Sequence, residues 1–189
     1  MKYYFASDIH GSQTYCAKLI DIFNEYKSED KKLILLGDLL YHGPRNDLPE
    51  GHNAKAVIEL LNGVSDYIYA VRGNCEASVD QMVLNFPCLA DYALMTYGKR
   101  TLFLTHGDIF NTKNPPKLKD GDILIHGHTH ISKIEEFDIS ENKKGIYINP
   151  GSTSIPKEND THNYMTFENG KFEIINLMNG EVIKSLDIN

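Results

Sequence analysis

The residues of this chain that can do chemistry fall in short clusters beside glycine. In order they are Asp8-Ile9-His10-Gly11, Gly37-Asp38, Gly73-Asn74, His106-Gly107 and His126-Gly127-His128-Thr129-His130. Asp8, His10, Asp38, Asn74, His106, His128 and His130 together offer imidazole nitrogen, carboxylate and one amide oxygen. Mixed nitrogen and oxygen donors suit Mn, Fe, Zn, Co or Ni rather than Ca or an iron–sulfur cluster. Such a set is too large for one ordinary ion and suffices for two ions that share a carboxylate. Two metals about 3.5–4 Å apart are the usual clamp for in-line displacement at phosphorus. A water held between them loses a proton near neutral pH and becomes a nucleophile. A lone Asp or His in a loop is more often a solvated residue than a ligand; the ordered set outweighs that reading.

These residues need a scaffold that brings distant segments together. Each cluster follows an apolar run that reads as a strand: Tyr3 to Ser7, Leu33 to Leu36, Tyr67 to Val71, Thr101 to Thr105 and Ile123 to Ile125. In open α/β sheets, ligands bind beyond the carboxyl ends of the strands, so these segments are expected to converge. Ser12 precedes an amphipathic stretch with Cys16, Leu19, Ile20 and Phe23 at helical spacing. Asn53 is an N-cap for a helix carrying Ala54, Val57, Ile58 and Leu61, with Gly63 as its C-cap. Val79, Met82 and Val83 predict a further short helix. The second part is richer in strands. Ala90 to Tyr97 pairs with Thr101 to Thr105 across Gly98-Lys99-Arg100, and Ile146 to Ile148 is another strand core. Asn169-Gly170 and Asn179-Gly180 predict type I′ hairpins. The pattern starts as βαβαβα and ends in hairpins, which points to two sheets packed face to face with helices outside. One domain over residues 1–189 is expected from the length.

Composition narrows the function classes. The chain has 19 Lys+Arg against 26 Asp+Glu, a formal net charge of −7. That balance lacks the uniform basic surface needed for non-specific nucleic-acid binding, and no basic amphipathic face for anionic membranes is evident. No stretch approaches the ~20 apolar residues of a membrane span. The apolar run before Asp8 is too short for a signal-peptide core, so a cytoplasmic protein is expected. The cysteines, Cys16, Cys75 and Cys88, are odd in number and widely spaced, which suggests neither a disulfide framework nor a CxxC zinc site.

The ordered set Asp8-x-His10, Gly37-Asp38, Gly73-Asn74, His106 and Gly127-His128-x-His130 resembles the signature of the calcineurin-like metallophosphoesterases. Gly37-Asp38-Leu39-Leu40-Tyr41-His42-Gly43-Pro44-Arg45-Asn46, Val71-Arg72-Gly73-Asn74-Cys75-Glu76 and Asn149-Pro150-Gly151-Ser152 are similar to the small bacterial YfcE-type phosphodiesterases. The resemblance implies an α/β (α+β) fold, a four-layer αββα sandwich of two mixed β-sheets flanked by helices. It implies that Asp8, His10 and His130 hold one divalent ion and Asn74, His106 and His128 a second, with Asp38 bridging. The implied activity is metal-dependent hydrolysis of a small phosphodiester by a bridging hydroxide, with Mn²⁺ first and Zn²⁺, Fe²⁺, Co²⁺ or Ni²⁺ as alternatives. A homo-oligomer is expected from the relatives. The rival readings are a non-catalytic protein-binding scaffold of the same fold, and a phosphomonoesterase.

The wider superfamily motif usually reads Gly-Asn-His-Asp/Glu, whereas this chain has Gly73-Asn74-Cys75-Glu76. Cys75 is a weaker, differently placed proton donor than the missing His. Low activity on substrates with poor leaving groups is therefore expected. Arg45 either pairs bidentately with a phosphate oxygen or makes a surface ion pair with Asp47 or Glu50. Arg72 is expected to brace the site. His126 is expected to pack beneath it, and His42, His52 and His162 are expected at the surface. Cys75 is expected to be a small filler with access to the site, and Cys16 and Cys88 to be core residues. The Gly151-Ser152 turn either closes a wall of the site or only links strands.

Overall fold

Apolar side chains on both faces of the first two strands set the layering. In β1 (Lys2–Ala6), Tyr4 and Ala6 join one core cluster while Phe5 joins another. In β2 (Lys31–Leu35), Leu33 and Leu35 take the first side, and Ile34, with Leu36 just beyond the strand, takes the second. This period of two buries both faces, as expected of a central strand with a layer on each side. The computed structural model describes residues 1–189 in full.

The outer layer on the first side is helical. Helix α1 (Gln13–Glu25) starts at Ser12, whose hydroxyl accepts from the Tyr15 N–H, and buries Tyr15, Cys16, Leu19, Ile20 and Phe23. Helix α2 (Ala54–Asn62) is capped by Asn53, which accepts from the Ala56 N–H, and buries Val57 and Leu61. Gly63 ends it with φ of −62°, so it caps in a helical rather than a left-handed conformation.

The first sheet has the order β11-β10-β9-β1-β2-β3, with β3 at Ile68–Ala70, β9 at Asn163–Glu168, β10 at Lys171–Asn176 and β11 at Val182–Asp187. The second has the order β4-β5-β6-β8-β7, with β4 at Tyr92–Tyr97, β5 at Arg100–Thr105, β6 at Ile123–Ile125, β7 at Lys133–Ser140 and β8 at Lys143–Asn149. Both are mixed: β1, β2 and β3 run parallel, as do β5, β6 and β8. The sheets pack through Phe5, Ile34, Leu36, Met165, Phe167 and Phe172 on one side and Leu102, Leu104, Ile123, Ile125 and Ile148 on the other. Both α-helices belong to the first sheet. On the outer face of the second sheet, the chain between β5 and β6 supplies Phe110 and Leu118 against Phe103 and Leu124. There is no helix long and apolar enough to cross a membrane.

Three local expectations change. The Val79–Val83 helix is a single 3₁₀ turn at Asp80–Met82, with Val79 and Met82 exposed, because no neighbour covers their apolar side. Asn169 and Gly170 both have positive φ, as a type I′ turn requires, but of Asn179-Gly180 only Gly180 does. The latter pair sits in a longer loop in which the Gly180 N–H donates to Asn176 O and the Asn176 N–H donates to Glu181 O. Strand β7 has no counterpart among the sequence-level strands: its alternately exposed face, rich in Lys and Glu, carries no apolar run.

Candidate metal centre and active site

The parallel strands deliver their carboxyl ends to one edge of the sandwich. Asp8 lies just past β1, Asp38 past β2, Asn74 past β3, His106 at the end of β5, and His128 and His130 past β6. The first two loops are zipped together: Asp8, His10 and Gly11 donate backbone N–H bonds to the carbonyls of Gly37, Asp38 and Leu39. Glycine permits the close approach. A Cβ on Gly127 would lie 2.6 Å from Asp8 Oδ2. A Cβ on Gly37 would run into the Gly73 backbone, and φ there is +91°.

The expected ligands converge. His130 Nε2 lies 3.2 Å from Asp8 Oδ1 and 3.3 Å from His10 Nε2, while His10 Nε2 lies 3.6 Å from Asp8 Oδ1. Asp38 Oδ2 faces both halves of the cluster, 3.8 Å from His10 Nε2 and 3.5 Å from His106 Nε2. His106 Nε2 is 3.1 Å from Asn74 Oδ1 and 3.2 Å from His128 Nδ1. Atoms bound about 2.1 Å from one ion at 90–110° are about 3.0–3.4 Å apart, so the closest of these spacings match the edges of a coordination shell.

Backbone carbonyls set the histidine tautomers. His10 Nδ1–H donates to Tyr41 O at 2.8 Å, His106 Nδ1–H to Leu36 O at 2.7 Å, and His130 Nδ1–H to Ile155 O at 2.6 Å. Each ring therefore points its Nε2 inward, the arrangement that orients metal-bound histidine. The backbone is also strained there. Asp8, His10, Asp38, His128 and His130 have φ between +50° and +66°. The left-handed region costs an L-residue about 1–2 kcal/mol, and such outliers gather at functional sites.

The electrostatics call for positive charge at the centre. Burial favours neutral Asp8, yet the imidazoles of His10 and His130 against it, and the charge of His106, hold its carboxyl well below the usual range. Burial disfavours a charged His106, yet the hydrogen bond to Asp38 and the charges of Asp8 and Asp38 push it up to about 10. His10 is raised in the same way, the Asp8 hydrogen bond outweighing burial. Burial and the charge of His106 lower His128. Asp8 Oδ1 is buried without a hydrogen-bond partner. Two buried carboxylates, one of them with an orphaned oxygen, and inward-facing imidazole Nε2 atoms fit divalent cations.

The sequence assigns no supporting role to Ser7, Ser154 or Glu76. Ser7 Oγ donates to Asp8 Oδ2 at 2.6 Å, and Ser152 Oγ and Ser154 Oγ both donate to Asp8 O. The Gly151-Ser152 turn thus braces Asp8. Glu76 accepts N–H bonds from Asp38 at 2.7 Å, Leu39 at 2.7 Å and Gly73 at 2.6 Å, tying the second and third loops together. Burial raises its pKa, and those bonds work against the rise. Glu76 closes the Gly-Asn-Cys-Glu motif, which was the available signal.

A cavity of about 420 Å³ opens over the cluster, lined by Asp38, Arg45, Asn74, Cys75, His128 and Lys157 among others. Arg45 makes no ion pair; Glu50 instead accepts from the Tyr15 hydroxyl. Arg72 pairs with Asp91 at 2.8 Å, both side chains partly exposed. Cys75 Sγ sits with His10 and Asp38 ligand atoms, all within 4.8 Å of one another, and the Cys75 N–H donates to Asp38 Oδ1. Burial first, then the Asp38 charge, push its thiol upward, so it stays protonated. Cys16 and Cys88 are buried, and all three thiols are free.

His126 packs beneath the site, stacked on Tyr147 with centroids 4.4 Å apart, and burial lowers it to about 4. His52 is exposed, as expected. The surface expectation fails for His162, which stacks on Tyr15 at 3.8 Å and is half-buried, and for His42, whose Nδ1 is buried against Tyr41 and His52 rings.

Residues 1–171 match the calcineurin-like phosphoesterase superfamily domain. The chain is 42% identical over 190 residues to phosphodiesterase YfcE of Escherichia coli K12, covering 100% of this chain and 99% of that one. The solved structure of the E. coli phosphoesterase Yfce superposes with a TM-score of 0.92 at 41% identity over the whole of both chains. Zinc-complexed Vps29 of Entamoeba histolytica shares the fold alone, with a TM-score of 0.57 and 18% identity over the whole of both chains. With a family match over most of its length and a full-length relative above 40% identity, the chain belongs to the calcineurin-like phosphoesterase superfamily.

Proposed function

We propose that the chain is a phosphodiesterase that hydrolyses small phosphodiesters at a centre of two divalent metal ions, carried by one domain over residues 1–189. The observation that carries this reading is the continuous run of donor atoms from His130 through Asp8, His10, Asp38 and His106 to Asn74 and His128, with Asp38 Oδ2 facing both ends. Its similarity to a relative named as a phosphodiesterase favours a diester over a monoester substrate.

In this reading Asp8, His10 and His130 would hold one ion and Asn74, His106 and His128 the other, with Asp38 available to both. When bound, the ions supply Lewis-acid charge at the phosphoryl oxygens and acidify a shared water for in-line attack at phosphorus. Asn74 contributes a neutral ligand, which leaves the outer position more electrophilic than a carboxylate would. Arg45, exposed and unpaired at the cavity mouth, binds a non-bridging phosphoryl oxygen. Cys75 offers at Sγ only a weak donor near the leaving group. Manganese is the proposed ion, since the donor set admits several metals and supply decides among them.

The −7 net charge does not oppose an anionic substrate. Two carboxylates beneath two divalent ions leave the site at about +2, and the ions' own charge governs it. The test is metal analysis together with rates on bis(p-nitrophenyl) phosphate and p-nitrophenyl phosphate in manganese. Bound metal and faster diester cleavage support the proposal. A metal-free chain with no turnover would place it among binding scaffolds, and faster monoester cleavage would make it a phosphomonoesterase.

A further inference from the structure

A second cavity, of about 330 Å³, lies beside the first and shares His128 and Thr129 with it as a common wall. Its other sides come from the loop after β5, with Asp108, Asn111 and Lys113, and from β7, with Lys133 and Glu135. The two cavities differ in charge. The first presents Arg45 and Lys157 beside the ligand cluster. The second balances Asp108 and Glu135 against Lys113 and Lys133, and Lys133 pairs with Glu135 at 3.3 Å. It is a poor anion site and a dense set of hydrogen-bonding groups.

His126, also in the lining, carries the second observation. The side chain is 2% exposed, its Nδ1–H donates to Gly127 O at 3.0 Å, and its Nε2 has no partner. With Nδ1 the donor of a neutral ring, Nε2 is an acceptor waiting for an O–H or N–H. A buried polar atom without a partner is rare and calls for one. The ring is held in place by Tyr147, whose hydroxyl accepts from Asn149, so it has little freedom to find a partner elsewhere.

We propose that this cavity is a subsite for an uncharged, polyhydroxylated organic group esterified to the phosphate, of glycerol or single-sugar size. The volume is at the small end of ligand pockets, which run about 300–1,000 Å³. The shared His128–Thr129 wall lets a phosphate at the ligand cluster pass one substituent into each cavity. Asp108 and the His126 Nε2 then accept hydrogen bonds from the hydroxyls, and Lys113 donates to them. This inference rests on the phosphodiesterase reading and assigns that enzyme a substrate class.

The test compares p-nitrophenyl diesters whose second substituent is methyl, glycerol or ribose, in manganese, for the native protein, His126→Phe and Asp108→Ala. The native protein is expected to favour the glycerol or the ribose ester over the methyl ester at least about tenfold in kcat/KM, and whichever of the two is faster identifies the source. Each substitution is expected to reduce that ratio about three- to tenfold, the loss of one hydrogen bond. Asp108 is exposed, so its variant keeps the test valid if His126→Phe does not fold. A native ratio near one, or ratios untouched by both substitutions, overturns the subsite while leaving the phosphodiesterase intact. If no diester is cleaved, the enzymatic reading fails, and binding decides the subsite separately. In that arm, imidazole ¹⁵N resonances are followed while glycerol 3-phosphate, ribose 5-phosphate or methyl phosphate is added to the native chain. A His126 Nε2 shift with a polyol phosphate and none with methyl phosphate supports the subsite; equal or absent shifts refute it.

Discussion

The two ends of the ligand cluster are built differently. Asp8, His10 and His130 are 0%, 1% and 3% exposed, and their neighbours fix each of them. Ser7, Ser152 and Ser154 hold Asp8, and carbonyls of Tyr41 and Ile155 hold the two rings. At the other end Asn74 is exposed and His128 half-buried. The Asn74 amide touches only its neighbours Cys75 and His106, at 3.3 and 3.1 Å. The buried end is preorganised and sealed. The open end faces both cavities, where a catalytic site needs room for substrate. On the proposed reading the cluster would divide its labour: one end would retain a cation and the other would expose one.

The largest expected effect tests that division directly. Asp8→Asn is expected to remove measurable turnover and the tightly held ion together. Asn74→Ala should also stop turnover while the chain keeps about one ion after desalting. Metal-to-protein ratios by plasma mass spectrometry read the contrast, and equal losses in the two variants would break it. Next comes Cys75→His at the open end. A competent acid is worth about 10²–10⁴-fold, so this variant should hydrolyse unactivated diesters about 10²-fold faster. An unchanged rate would remove the position from the leaving group.

A smaller effect belongs to Glu76, which joins the loops bearing Asp38 and Asn74. Glu76→Gln places an amide N–H among three backbone donors. Turnover or metal affinity should fall about tenfold, the lower end for a group that orients ligands. A fall in global stability with no change in metal affinity would mean that Glu76 only holds the fold.

The smallest effect is the acid sensitivity of the metal-free chain. His126 lies under the junction with its pKa lowered from 6.5 to about 4, chiefly by burial. Between those values the unfolded chain binds the proton and the folded chain does not, so stability falls as pH drops through 6.5 toward 4. Lowering the pH from 6.5 to 5.5 should cost about 1 kcal/mol from this group alone. His10 and His106 are shifted upward, which adds stability as pH falls through 6.5 and offsets part of this slope, while His128 and His162 are lowered and add to it. Urea unfolding of chelator-treated protein measures it, and His126→Phe should flatten the dependence. An equally steep slope in that variant would place the titrating group elsewhere.

Much of this was legible because the ligand types are unusual and the strand runs are simple. Leu33 to Leu36 reads as a strand buried on both sides, and Asn53 as a cap, from local chemistry alone. Strand β7 was not legible, since its solvent-facing Lys and Glu leave no apolar run. The Val79–Val83 stretch misled because helical spacing of apolar residues means burial only when something packs against them. Arg45 carried two readings until the structure put Glu50 against Tyr15 and left the guanidinium at the cavity.

By itself the sequence determined the donor set, the strand ends that carry it and the family it resembles, because those depend on residue type and short-range order. Only the tertiary structure decided which donors face one another, which end of the cluster is sealed, and which backbone groups hold it. The left-handed φ values at Asp8, His10, Asp38, His128 and His130 illustrate the reason. Asp and His enter that region more readily than most residues, but five such residues in one site need to be held there. The strain is held by contacts from Glu76, Ser152, Ser154 and Ile155, which lie 25 to 146 positions from the residues they touch and meet only when both sheets are packed.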